Sequence, residues 1–412
     1  MRIKGIFLVI FAVALAGVST ACARKKQYPE PPAYHRLPSG EFPIIASYAF
    51  YTPYITPQQF EWVKEAGFNV IRQSLNPAQI DSCLDLAAKN DLYLLVSPWN
   101  MQEVDKIKSI TERFSGHPNT WGYRIADEPN ISQFPHLKEV VDTLMKYDAG
   151  HNGFINLFAD AGEKHLGVKS YKKYVEDYVT TVNPAFLSFD FYPVRNNKKG
   201  QPYVEYGYYA SIETIARVAR ESNRPFWSYI LSNRHWFYPK PTEGFIRFQV
   251  FMALGYGAQG VIYYTYLMPD FDKEKREYSD APIGWDGKRT DTWNMVRNVN
   301  REVQNLSHVF LGAEALDVRH AGKIPEGTKP LSRLPAPFRI IDCSGDGVLV
   351  SRLKNGENEY LLIVNHDAIH PQNIYLSRTR PVVRIYGDGS EKEEVGPHVA
   401  LSAGGYALYK LK

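Results

Sequence analysis

The sequence predicts a (β/α)8 TIM barrel followed by a small C-terminal antiparallel β-sandwich. Three observations predict it. Between residues 42 and 312, eight short β-rich runs alternate with amphipathic helix-period stretches, the repeat and size of a barrel of about 250 residues. Several runs, such as Val261-Ile262-Tyr263-Tyr264, are apolar throughout, as expected of parallel strands covered on both faces. Beyond residue 312 the texture changes to alternating strands separated by Gly and Asn turns, the mark of hairpins.

Taken in order, the barrel strands are expected at 44–50, 69–73, 93–97, 121–126, 153–158, 186–191, 225–231 and 260–266. Amphipathic helices are expected at 56–66, 81–90, 101–114, 134–147, 171–181, 209–221 and 242–254, with a longer one at 293–311. The sandwich, 313–412, should contain strands at 347–353, 360–365, 382–386 and 406–411, with turns at Lys354-Asn355-Gly356 and Gly387-Asp388-Gly389. An open doubly wound sheet is the alternative. It loses support because no G-x-G-x-x-G or G-x-x-x-x-G-K-[ST] loop follows an early strand.

Composition narrows the classes. At 44% hydrophobic and 22% charged the chain is too apolar for disorder, and three Cys do not make a disulfide scaffold. The formal charge of +4 is local: Arg2, Lys4, Arg24, Lys25 and Lys26 contribute +5, leaving 43 basic against 44 acidic residues in the rest. No nucleic-acid partner is expected. Residues 1–22 read as an export signal, with basic residues up to Lys4, an apolar run over 5–18, and Ser19-Thr20-Ala21-Cys22. The run is shorter than the roughly 20 residues of a spanning helix. Small residues before Cys22 resemble a lipobox, so Cys22 is the expected lipidation site and the cell envelope the expected location. An ordinary cleaved signal with an incidental Cys22 is the other reading. Residues 23–41 lack an apolar period and read as a tether. Cys83 and Cys343 are expected as buried free thiols, with a disulfide as the alternative.

Active sites of such barrels lie at the C-terminal ends of the strands. Three ends carry polar groups: Asp127-Glu128-Pro129-Asn130, Asp190 within Phe189-Asp190-Phe191-Tyr192-Pro193, and Tyr263-Tyr264-Thr265-Tyr266 with the following loop of Asp270, Asp272, Trp285 and Asp286. Glycosidic cleavage needs one carboxylic acid to protonate the leaving oxygen and a second carboxylate as nucleophile or base. Glu128 fits the acid. Asp127 and Glu128 should point oppositely if strand geometry persists. The plainer reading makes Asp127 a helix N-cap with Pro129 in the first turn.

These motifs, with Arg224-Pro225-Phe226-Trp227 and the run from Ala253 through Tyr264, resemble clan A glycoside hydrolases, most nearly bacterial lipoproteins with a family 42-like barrel. The likeness spans roughly 42–311, and Val364-Asn365-His366-Asp367 in the trailing β-domain also looks like theirs. The resemblance implies an acid/base Glu after strand four, commonly preceded by Asn, and a nucleophile Glu after strand seven. Glu128 matches the first role, with Asp127 in place of Asn. Trp227-Ser228-Tyr229-Ile230-Leu231-Ser232-Asn233 has no carboxylate for the second.

Asp190 is then the best second carboxylate, with Asp127 orienting or tuning Glu128. Strands two apart are about 9–10 Å apart at the backbone, and a carboxyl separation of about 6.5–9.5 Å would give an inverting enzyme. Asp160, Glu243, Asp270 or Asp286 could instead fold over the cleft, or Asp190 could be a hydrogen-bonded buried acid. Candidate sugar contacts are Trp99, Asn100, Tyr192, Tyr229, Trp236, Tyr264 and Trp285, with Arg72 and Asn156 as polar partners. Trp62 and Trp293 read as packing residues. No metal or cofactor is expected: there is no H-E-x-x-H, C-x-x-C or G-x-S-x-G, and the acids at 270–286 lack EF-hand spacing. The expected activity is hydrolysis of a poly- or oligosaccharide. The alternative is a non-catalytic glycan-binding protein on the same barrel; a lyase or transglycosidase is not separable by sequence.

Overall fold

The structure is a computed structural model that describes residues 26–343 and 345–411. The signal segment and Cys22 lie outside the described residues. Eight parallel strands form one sheet: β1 (Ile44–Ser47), β2 (Val70–Ser74), β3 (Tyr93–Ser97), β4 (Thr120–Asp127), β5 (Asn152–Asn156), β6 (Leu187–Phe189), β7 (Phe226–Leu231) and β8 (Val261–Tyr264). Their spatial order is β5-β4-β3-β2-β1-β8-β7-β6. The two edges meet through a parallel bridge between Leu157 and Phe189, where the Leu157 N–H donates to the Ser188 carbonyl at 2.9 Å. The sheet thus closes into a barrel.

Every strand was anticipated, but β1, β6 and β8 end earlier than their apolar runs. The helices start where side chains cap them. Thr56 accepts from Gln59 ahead of Pro57–Glu65, Asn76 and Gln79 form a capping box ahead of Pro77–Ala88, and Thr242 accepts from Phe245 ahead of Glu243–Gly255. The expected 293–311 helix is Asp291–Asn305 and a separate turn, Ser307–Phe310, broken at Leu306.

Alternation along the strands sends one set of residues to the helices and another to the axis. The axial set is aromatic at the N-terminal end: Trp227 stacks on Trp121 at 5.1 Å and Phe154 at 5.7 Å, and its ring lies 4.0 Å from Phe186. Tyr34 closes this floor from below, taking a hydrogen bond from Trp227 Nε1 at 3.2 Å and packing edge-on to Phe186. The reading of 23–41 as a tether is therefore corrected for its described part. His35 exchanges hydrogen bonds with Asn152 and accepts from Trp121 Nε1, Arg224 reaches Pro29, and Leu37 is buried. Isolated apolar residues hold this segment, not a period, which is why its pattern looked featureless.

The C-terminal region has a six-stranded antiparallel sheet, ordered Glu314–Ala321, Val348–Asn355, Asn358–Asn365, Tyr406–Lys410, Val382–Ile385 and Glu391–Glu394. A three-stranded sheet of Phe338–Cys343, Gln372–Arg378 and His398–Leu401 packs against it over Leu361, Ile363, Leu376 and Tyr409. It leans on the barrel through helix Glu243–Gly255: Phe251 stacks on Tyr406 at 3.7 Å. Cys83 and Cys343 are free thiols.

Candidate active site

Strand β4 carries one extra residue relative to β5. Arg124 pairs with Phe154 and Asp127 with Asn156, with a register shift between Arg124 and Ala126. This bulge brings Arg124 and Asp127, three residues apart, together at the mouth of the barrel, where Arg124 Nη2 meets Asp127 Oδ2 at 2.9 Å. Arg72 from β2 joins them at 4.0 Å, lying 5.0 Å from the centre of the Tyr48 ring and donating to Ser47 Oγ. Asp127 is the last residue of β4, and the cap of the next turn is Asn130, bonded to Ser132 and Gln133. The capping reading of Asp127 is thereby overturned.

Glu128 does not continue the strand. Its φ of +47° is left-handed, a conformation that costs a residue with a Cβ about 1–2 kcal/mol, and its N–H is fixed to the Asn156 carbonyl at 2.8 Å. The turn breaks the alternation that would point Glu128 away from the axis. Its carboxyl instead approaches that of Asp190, at the seam between β5 and β6. Asn156 faces Asp190 from the other side and accepts from Ser188 Oγ at 3.0 Å.

Burial first, and then the nearby Asp127 charge, pushes Glu128 above the usual carboxylate range, against an opposing hydrogen bond from Asp190 and the proximity of His165. Asp190 is driven well above its usual range by burial, then by the charges of Glu128 and Asp127. Asp190 keeps a little exposed surface, but its Oδ1 is sealed and without a partner. Asp190, the more deeply buried of the two acids, is raised further than Glu128. This approach is closer than the about 6.5–9.5 Å expected of an inverting pair. The exposed acid of the three is Asp127, whose side chain is 40% exposed.

A cavity of about 740 Å³ opens at Arg124, the partner of Asp127, lined by Tyr48, Gln73, Trp99, Arg124, Asp270 and Phe271 among others. Exposed aromatic rings stand at this end of the barrel. Trp99 is 80% exposed, Trp236 66% and Phe271 56%, and all three stand in loops after barrel strands. Phe271 contacts Tyr48 and Tyr278 edge-on at 6.0 and 5.6 Å, and Tyr278 leads to Trp236, which is tethered to Glu277. Tyr192 stacks on Tyr264 at 5.9 Å, and Tyr264 shares a hydrogen bond with Tyr278. Tyr229 is buried, with Arg72 and Arg124 beside it. Burial raises all three phenols, so they are hydroxyls at neutral pH. His235 lies flat on Tyr278 at 4.4 Å and is pushed down to about 4 by burial.

Other candidates fall elsewhere. The Asn100 carbonyl accepts from the Glu103 N–H in the turn after β3. Trp285 lies under Arg276 at 4.8 Å, with its carbonyl held by Tyr54. Glu243 is bound by Arg247 and Asn298, Asp286 caps a turn at Lys288, Asp160 is exposed, and Asp270 reaches the cavity wall. Past β7, Asn233 bonds Thr265 and His235. Trp293 is buried and Trp62 packs against the core, as expected. Sequence reasoning missed Arg124, Tyr48, Gln73, His165 and Phe271; only the charge of Arg124 inside an apolar run could have signalled one of them. Among the described residues no cluster of His, Cys, Asp or Glu could hold a metal ion.

No family model matches the chain, and no curated protein matches it. Solved structures do. It is similar to a β-galactosidase from Bacillus circulans sp. alkalophilus (TM-score 0.58, 9% identity, covering 90% of this chain and 99% of that one). It is also similar to a family 5 glycoside hydrolase from Bacteroides vulgatus (0.56, 12%, 90% and 89%) and to a family 39 glycoside hydrolase from Bacteroides cellulosilyticus (0.52, 12%, 92% and 83%). The chain spans 60% of the length of a β-galactosidase from Marinomonas ef1 that it also matches. At these identities the shared property is the fold: a barrel with a trailing β-region, as found in glycoside hydrolases.

Proposed function

We propose that this chain is a glycoside hydrolase acting on O-glycosidic bonds of a poly- or oligosaccharide, exported and anchored at the cell envelope through Cys22, and related to the family 42-like lipoproteins that its motifs resemble. The observation that carries the reading is the Glu128 carboxyl. It is held in a strained turn at the mouth of the barrel with its proton affinity raised, at the end of the barrel that carries the exposed rings of Trp99, Phe271 and Trp236. A carboxyl whose proton affinity is raised by burial is suited to protonate a leaving oxygen. Asp190 lies against it, and Asp127, the exposed acid, is the carboxylate left to act on water or on the sugar.

The test is chromatography of products from a panel of plant, algal and host glycans. Wild type should release fragments, and Glu128→Gln should release none while still binding the glycan; full activity in that variant removes the reading. A second reading, a glycan-binding protein, is favoured by the absence of a carboxylate from 227 to 233 and by the direct Glu128–Asp190 contact. Wild-type protein that binds a glycan without cleaving any would select it.

A further inference from the structure

The wall of the cleft holds more hydrogen-bond donors than it satisfies. Two guanidiniums, Arg72 and Arg124, offer ten N–H groups between them and meet one carboxylate, Asp127. Arg72 is 2% exposed and reaches Ser47, while Asp127 lies 4.0 Å from its Nη2, beyond a hydrogen bond. The Nε atoms of both arginines are buried with no partner. So is Oε1 of Gln73, a residue 8% exposed that lines the cleft beside Arg124. Burial, and then the neighbouring Arg72 charge, lowers the proton affinity of Arg124, the sign of a cation short of countercharge. The other acids nearby do not supply it: among the described residues the ion pairs of Arg72 and Arg124 are with Asp127 alone, and Asp270 stands in the short 3-10 turn Asp270–Asp272 at the cavity wall.

We propose that the cleft selects an acidic sugar, with Arg124, backed by Arg72, receiving a carboxylate or sulfate carried on the ring and Gln73 accepting from a neighbouring hydroxyl. A planar guanidinium fork suits bidentate contact with such an oxyanion, and the aromatic rim supplies the stacking faces. This rests on the glycan-cleft reading above and names the substrate class within it.

The test is calorimetric titration of the purified protein with three probes of equal length: tri-galacturonic acid, a sulfated galactan trisaccharide and neutral galactotriose. At least one acidic probe should bind tenfold or more tightly than the neutral one, and comparing the two acidic arms tells carboxylate from sulfate. Arg124→Gln should erase that preference, a loss of about 10- to 100-fold confined to the acidic probe, and Arg124→Lys should keep part of it. If Arg124→Gln does not fold, added salt should weaken only the acidic arm in wild type. Equal or tighter binding of galactotriose overturns the acidic-sugar inference and leaves the glycan-cleft reading standing. Binding of none of the three, together with none of the wider glycan panel, overturns both.

Discussion

Replacing Asp190 by Asn changes almost nothing in shape and removes one of two neighbouring acids. Two carboxylate charges about 4 Å apart repel by about 4 kcal/mol at an effective dielectric of about 20, which adds to burial in raising the proton affinity of the pair. The cleft is open on one side, so water screens part of that repulsion and about a third to two thirds of it should act, on the order of 1.4–2.7 kcal/mol, or 10- to 100-fold in rate. Asn keeps a donor toward Glu128 but carries no charge to retain the last proton. Glu128 should then lose its proton at lower pH, so the alkaline limb of the kcat/KM profile moves toward acid. Activity on the alkaline limb should fall about 10- to 100-fold while activity on the acid side of that limb changes little. The assay is a pH–rate profile of both proteins on the glycan that wild type cleaves, with thermal unfolding as control. An unshifted alkaline limb in a folded Asp190→Asn protein would refute the coupling of Asp190 to Glu128.

Trp99→Ala and Trp236→Ala should each weaken glycan binding by about 1 kcal/mol, roughly fivefold, without lowering the melting temperature, since both rings are exposed; calorimetry and thermal unfolding check the two halves. Tyr34→Ala should cost about 2–4 kcal/mol of stability, because it opens the aromatic floor and strips Trp227 Nε1 of its acceptor; denaturant unfolding measures this. His320 and His366 are bonded to each other at 2.9 Å between barrel and β-region, with Tyr256 on one side and the Asp346 carbonyl on the other. Burial lowers His366 to about 4 from 6.5, so the unfolded chain takes up a proton below about pH 6.5 that the folded chain refuses. Stability from this group is complete above pH 6.5 and declines by about 3 kcal/mol as pH falls to 4. Urea unfolding across that window should show the decline, and a His320→Gln/His366→Gln protein should lose this part of it.

The barrel was legible because covered parallel strands are apolar on both faces and helix-period segments separate them. Strand ends were less so. Tyr48 and Asp190 belong to apolar runs yet leave the ladder, Tyr48 with φ +52°, and these departures build the site. Glu128, Asp190 and Asp127 stand out as acids at apolar strand ends, so their candidacy could be read directly. Their arrangement could not: it depends on the extra residue between Arg124 and Ala126 and on the left-handed turn at Glu128, neither of which a period-2 pattern reveals.

The role of Glu128 as general acid is tested most directly by the dependence of its loss on the leaving group. Wild type and Glu128→Gln should be compared on one glycosyl donor with a sugar leaving group and with an aryl leaving group that departs without a proton. A missing acid should cost about 10²- to 10⁴-fold on the sugar leaving group and close to nothing on the aryl one. Equal losses on both, or no loss on the sugar, would contradict it.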